Sequence, residues 1–282
     1  YYVNDSNTNN DIFTSKAGSD TNYGVHPSIP KATLKGLFDD PDIDIEGGDY
    51  VFVDSGLYPI TTNNLITMGA ENTGNSSERV YVRGNTNAFL TVLYREASQP
   101  AGLNLFTIGG AYVDLSGFRL VGGNLVAQGG YLNLYRLILT NGNIVLQGLN
   151  QVLEDTEVYA GDVTISGKPI TMRRNVVAGG TISLQGTNVV CENNLVYGGN
   201  GPAMIVGGNL ITVRNNTLAA GGSQFIKQGS GSATLENNII RAVGADNFCI
   251  QWNGGTLNSD YNNLRAQGDA WIGNQNGYWE KL

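Results

Sequence analysis

Along most of this chain apolar and polar residues alternate for four or five positions, break at a glycine or an asparagine, and start again. Ile144-Val-Leu-Gln-Gly148, Val163-Thr-Ile-Ser-Gly167 and Ile182-Ser-Leu-Gln-Gly186 form one such set, and Ile170-Thr-Met-Arg-Arg174, Val189-Val-Cys-Glu-Asn193 and Ile211-Thr-Val-Arg-Asn215 form another. Period-2 alternation predicts short strands whose Leu, Ile, Val, Met and Cys side chains face inward. The breaks are themselves periodic. Asn175, Asn194, Asn216, Asn238 and Asn263 recur at intervals of 19, 22, 22 and 25 residues, and the column continues upstream through Thr156, Leu137 and Phe118. A glycine column keeps step with it: Gly110, Gly129, Gly148, Gly167, Gly186, Gly207, Gly229 and Gly254. Two columns in register predict a solenoid, and a period near 20 built from strands predicts a β-helix with two clear strands and a short third in each coil.

The ends depart from the repeat. Ser28 to Phe38 reads as a short helix, with Ser28 as N-cap, Pro30 in its first turn, and Leu34, Leu37 and Phe38 on one apolar face. Such a helix would cap the first coil, which otherwise exposes its core and its unpaired strand edges. Gly48 to Tyr58 alternates like a first coil strand, residues 69–78 read as a polar loop, and Val80-Tyr-Val-Arg-Gly84 aligns with Val113-Asp-Leu-Ser-Gly117. The expected organisation is one β-helix domain over 1–282: cap helix and first coil in 1–78, regular coils in 79–268, and an aromatic segment in 269–282 that either covers the last coil or leads into a further module.

Composition narrows the function. The 282 residues include 39 glycines, only 14% are charged, and the formal net charge is −8, which argues against nucleic acid or an anionic membrane as partner. No apolar run approaches the roughly 20 residues a membrane span needs. The chain opens on a strand-like Tyr1-Tyr-Val, which is expected of a processed protein or a module of something longer. Cys191 and Cys249 lie about three coils apart, too far for a disulfide at a spacing of about 4.8 Å, so both are expected as buried free thiols. His26 is the single histidine and lies in the N-terminal segment, which weighs against a histidine base.

The stacked asparagines, and the columns beside them, resemble the right-handed parallel β-helix of the pectin-lyase-like superfamily. Tyr1-Tyr-Val-Asn, Pro30-Lys-Ala-Thr-Leu34, Gly48-Asp-Tyr-Val-Phe-Val53, Asp260-Tyr-Asn-Asn263 and Gly277-Tyr-Trp279 resemble secreted β-helix modules of large bacterial surface proteins. The resemblance implies an all-β, right-handed, single-stranded parallel β-helix, located outside the cell or at its surface. It also implies that an active member would carry Ca²⁺-binding aspartates with an Arg or Lys, or a group of aspartates, on the face leading to the glycine column.

That face holds Val126, Val145, Thr164 and Ser183, beside Gln128, Gln147, Ser166, Gln185, Val206, Gln228 and Asn253, with no acid or base among them. A row of amides and hydroxyls suits neutral sugar hydroxyls, with Tyr159 and Tyr197 as stacking platforms. Chemistry is concentrated elsewhere. Glu154, Arg173, Glu192, Arg214 and Glu236 alternate in sign two positions before the asparagines, which predicts a surface ladder with each arginine between two carboxylates. Arg136, Asp155 and Arg174, with Arg119 and Glu157, adjoin it. Arginine next to carboxylate is the equipment of a uronate lyase, where a cation neutralises the substrate carboxylate and a base takes the α proton. Arg136, Asp155, Glu157, Arg173 and Arg174 are therefore the catalytic candidates if the protein is an enzyme. The acidic stretch containing Asp39, Asp40, Asp42 and Asp44 is a weak Ca²⁺ candidate, because its spacing lacks the pattern of a Ca²⁺ loop. The first expectation is a non-catalytic structural, adhesive or carbohydrate-contacting module. The alternatives are a polysaccharide lyase or epimerase, and a module that assembles end to end in a surface layer or filament.

Overall fold

A computed structural model describes residues 1–87, 90–275 and 278–280. The chain folds as a right-handed parallel β-helix, all-β apart from one short helix. It divides into two units, Tyr1–Gly142 and Asn143–Leu282. Each unit has three faces of parallel strands, and every coil contributes one strand to each face.

In the first unit one face stacks Tyr2–Val3, Tyr50–Val53, Val80–Gly84, Val113–Ser116 and Asn133–Tyr135 in that order. The expected alignment of Val80 with Val113 is observed. The second face stacks Gly56–Ile60, Thr91–Arg95, Phe118–Val121 and Ile138–Thr140, and the third stacks Ile66–Met68, Asn104–Ile108 and Asn124–Ala127. The stretch from Gly48 to Tyr58 is thus two strands on two faces, because Asp54 and Ser55 turn the corner between them. The cap helix is also shorter than expected. It spans Leu34–Phe38 and is capped by Thr33, whose hydroxyl accepts from the Gly36 amide, not by Ser28. Pro30 and Lys31 lie outside it because the Lys31 backbone pairs with the first strand, donating to Tyr2 and accepting from Asn4. The apolar face is as predicted: Leu34, Leu37 and Phe38 are buried.

In the second unit the first face runs from Gln151–Glu154 through Ile170–Arg173, Thr187–Glu192, Asn209–Arg214 and Ser232–Glu236 to Thr256–Asp260. The second runs from Glu157–Tyr159 to Asn263–Gln267. The third runs from Ile144–Leu146 to Phe248–Trp252 and then continues with Trp271–Gln275, so the repeat extends into the C-terminal segment. Tyr278–Glu280 then turns back antiparallel on that strand. Residues 276–277 and 281–282 lie outside the described residues.

The asparagine ladder is built as a relay. Asn194 Oδ1 accepts from both the backbone amide and Nδ2 of Asn175, each at 2.9 Å, while Asn194 Nδ2 donates to Met172 O at 3.1 Å and Asn216 Oδ1 at 3.0 Å. Asn216 repeats these bonds with Asn238. The last rung is Asn262, which accepts from the Asn238 amide at 2.9 Å; Asn263 is exposed one position beyond. The left-handed corner belongs to the residue before each rung. Arg174, Asn193, Asn215 and Asn237 have φ between 54° and 57°, and Tyr261 has 52°. The rung side chain then satisfies the carbonyls and amides that this corner removes from the strand ladder.

The glycine column has a different cause. A Cβ on Gly167 would lie 2.1 Å from Gly148 O, and one on Gly186 would lie 2.1 Å from Gly167 O. Beyond Gly186 the column shifts by one or two residues. Gly208, Gly231 and Gly255 continue it, each with a Cβ position 2.0–2.2 Å from the preceding column carbonyl, in place of Gly207, Gly229 and Gly254.

Candidate functional site

The charged patch of the second unit sits where the first face meets the asparagine corner. Glu154 and Arg173 occupy paired positions on neighbouring strands, as do Glu192 and Arg214. Arg173 donates to Glu154 through Nε at 2.8 Å and Nη2 at 2.6 Å, and Arg214 grips Glu192 through Nε at 2.7 Å and Nη2 at 2.6 Å. Arg174 also pairs with Glu154 and closes on Asp155 through Nε at 2.8 Å and Nη2 at 3.2 Å. Each of these three arginines therefore reaches back to the preceding coil. The expected ladder, with each arginine shared between two carboxylates, resolves into separate clusters, and among the described residues Glu236 joins no ion pair.

Glu157 stands apart from these pairs. It lies on the second face and accepts the Tyr159 hydroxyl at 2.6 Å. That bond, reinforced by desolvation, pushes the Tyr159 phenol above its ordinary pKa, because the neutral phenol is the donor. Tyr159 and Tyr197 are both exposed, separated in their column by Ala178. Across the corner, Arg174, Asn193 and Asn215 face Val176, Leu195 and Thr217 over a shallow groove of about 410 Å³.

The glycine-column face carries the predicted amide row. Gln147, Gln185 and Gln228 are exposed in the second unit and Gln128 in the first, and Gln185 donates to Ser183 at 3.0 Å. Two expected members are not on the surface. Val206 pairs with Leu184 and is fully buried, so Ile205 takes the outward place, and Val126 is 6% exposed where the strand register shifts. Lys227 interrupts the apolar inward set: it points inward beside Phe225 and is fully buried. Its Nζ donates to Gln228 O at 2.7 Å and Gly229 O at 3.3 Å, and burial lowers its pKa.

In the acidic stretch, Asp40 pairs with Lys31 at 2.5 Å and Asp39 with Lys35. Among the described residues no three His, Cys, Asp or Glu side chains gather around a point that could hold a metal ion. His26 lies in an exposed loop and shares a hydrogen bond with Ser28.

Sequence reasoning missed a groove of about 380 Å³ in the first unit. Phe52, Arg83, Ser116 and Tyr135 occupy one outward column on consecutive coils. Arg136 follows at the corner with φ 51°, and Ile12 and Phe13 wall the other side. Residues 12–14 are fixed there by the fully buried Asp54, which accepts from the amides of Ile12, Phe13 and Thr14 at 2.7–2.8 Å. The signal available beforehand was the column itself, since Arg83 lies three residues after Val80, as Ser116 does after Val113. Nothing in the sequence could place Phe13 there, 39 residues before Phe52.

Comparison with known proteins gives the fold and no more. Neither a protein-family model nor a curated protein sequence matches the chain. An alginate lyase from Paenibacillus sp. str. FPU-7 is similar in structure, with a TM-score of 0.56 and 14% identity over 84% of this chain and 95% of that one. The A-modules of two Azotobacter vinelandii mannuronan C-5 epimerases are similar as well. For AlgE4 the TM-score is 0.54 at 11% identity, covering 83% of this chain and 91% of that one; for AlgE6 it is 0.53 at 13%, covering 86% and 94%. The chain thus shares the parallel β-helix of polysaccharide-active enzymes.

Proposed function

We propose that this chain is an extracellular β-helix module that contacts polysaccharide without cleaving it. The observation that carries the non-catalytic part is the closure of Arg173, Arg174 and Arg214 onto carboxylates of the preceding coil. A lyase needs a cation available to the substrate carboxylate and a base available to its proton. Arg173, Arg174 and Arg214 are each already matched to an acid, Glu157 holds a tyrosine, and among the described residues the groove that holds the unpaired Arg136 is lined by no Asp or Glu to act as base. Contact with polysaccharide is supported by the named activities of the similar folds, and by the exposed glutamines and tyrosines that suit sugar hydroxyls and sugar faces.

The test is incubation with alginate, polygalacturonate and neutral glycans, following ultraviolet absorbance for new double bonds and proton NMR for epimerisation. No turnover is expected, with retardation in at least one glycan-containing native gel. Turnover that disappears in Arg174→Ala would overturn the non-catalytic reading in favour of a lyase or epimerase. No retardation by any glycan would overturn the polysaccharide reading.

A further inference from the structure

We propose that the first-unit groove between Arg83 and Arg136 is a binding site for an acidic sugar unit, with the two guanidinium groups receiving its oxyanion and Phe13, Phe52 and Tyr135 flanking its ring. This rests on the reading that the module contacts polysaccharide and adds to it a site and a ligand charge.

The charge argument is local. The molecule carries a formal −8, yet no Asp or Glu lines this groove. Among the described residues neither Arg83 nor Arg136 joins an ion pair. That contrasts with Arg173, Arg174 and Arg214, which are neutralised in place. Arg83 is held without consuming its donors: its guanidinium lies 5.0 Å from the Tyr50 ring centre and 5.2 Å from that of Tyr81. Cation–π contact positions a guanidinium while leaving its N–H fork open for a carboxylate or a sulfate ester. Arg136 is exposed and sits in a left-handed backbone conformation that non-glycine residues seldom adopt. Glycine holds the same corner one coil earlier, at Gly117 with φ 79°.

The walls suit a sugar. Phe13 packs on Phe52 with ring centres 5.0 Å apart, and Tyr135 lines the groove next to Arg136 in the chain. Aromatic rings offer an apolar face to the C–H face of a pyranose while the arginines take the charge. The Phe13 wall is not a loose flap, because Asp54 binds the backbone on both sides of it.

Native affinity electrophoresis and calorimetry with polygalacturonate, dextran sulfate and neutral dextran test the site in three proteins: unaltered, Arg83→Gln/Arg136→Gln, and Arg214→Gln/Arg241→Gln as a matched loss of two charges elsewhere. The expected result is binding to at least one acidic glycan that falls roughly tenfold or more in the Arg83→Gln/Arg136→Gln variant and is unchanged in Arg214→Gln/Arg241→Gln. Polygalacturonate and dextran sulfate separate a carboxylate from a sulfate as the preferred oxyanion. Acidic-glycan binding that survives in the Arg83→Gln/Arg136→Gln variant overturns this site while leaving polysaccharide contact standing, and so does binding confined to neutral dextran. Binding of no glycan removes both readings. If the Arg83→Gln/Arg136→Gln variant melts early, Arg136→Gln alone at the exposed corner carries the same test, with the same expected loss and the same overturning result.

Discussion

At each asparagine corner two adjacent side chains take opposite parts. The residue before the rung adopts φ near +55° and points out, while the rung points in and bonds to the coils on either side. The outward position is filled by Arg174, Asn193, Asn215, Asn237 and Tyr261 in turn. Asparagine tolerates this conformation, whereas arginine and tyrosine do not favour it. The inward position is stricter, because each fully buried amide serves as donor and acceptor at once. Asn194→Ala removes an acceptor used by two Asn175 donors and leaves Met172 O and Asn216 Oδ1 short of a donor. Denaturant unfolding is expected to show a loss of about 2–4 kcal/mol. A loss under about 1 kcal/mol would mean that water replaces the rung.

Among elements, the corner after the third face is governed by backbone distance. Gly186 has no Cβ because Gly167 O occupies that space. Gly186→Ala should force the two coils apart and lower stability by at least about 2 kcal/mol, read as a drop in the thermal midpoint. Gly229→Ala makes a useful comparison. Its nearest approach is 3.2 Å, but its φ is 73°, so its cost comes from the backbone and should be nearer 1 kcal/mol. Equal losses in the two variants would contradict the assignment of the stacked column to Gly208, Gly231 and Gly255. The ion pairs between strands matter less. They are partly exposed, each contributes about 0–1 kcal/mol, and their consequence is chemical: they occupy the arginines.

For the whole molecule, inward alternation makes the interior dry, and the thiols report on it. Cys191 and Cys249 are free and buried, as expected from their spacing. Burial pushes the Cys191 thiol up to about 12, partly offset by the Asn194 amide that donates to its sulfur. An unfolded thiol titrates near 8.5, so above that pH the unfolded state holds fewer protons than the folded state, and stability falls as pH rises towards 12. The slope from this group is at most about 1.4 kcal/mol per pH unit. Cys191→Val should therefore lose less stability than the unaltered protein between pH 8.5 and 10.5 in denaturant titrations. Parallel losses in the two proteins would show that the thiol is not shielded. Lys227 has the opposite sign. Its pKa is lowered, so its cost is present while the folded state must hold the charge and is relieved as pH rises towards the ordinary lysine value.

The sequence by itself determined the architecture, the inward set and nearly every rung, because a solenoid writes each coil's contacts at a fixed interval along the chain. Thr156, Asn175, Asn194, Asn216 and Asn238 could be read from spacing alone. Where a residue was inserted, spacing misled by one, at Asn262 and at Gly208, since only hydrogen-bond register decides which neighbour enters the column. Tertiary structure alone decided which charges remain available. Arg83 and Arg173 are the same residue type at outward strand positions, yet Arg173 is bound by Glu154 while Arg83 rests on two tyrosine rings. It also brought Phe13 to Phe52 through a buried aspartate. Periodicity encodes what repeats, and a binding groove is made where the chain stops repeating.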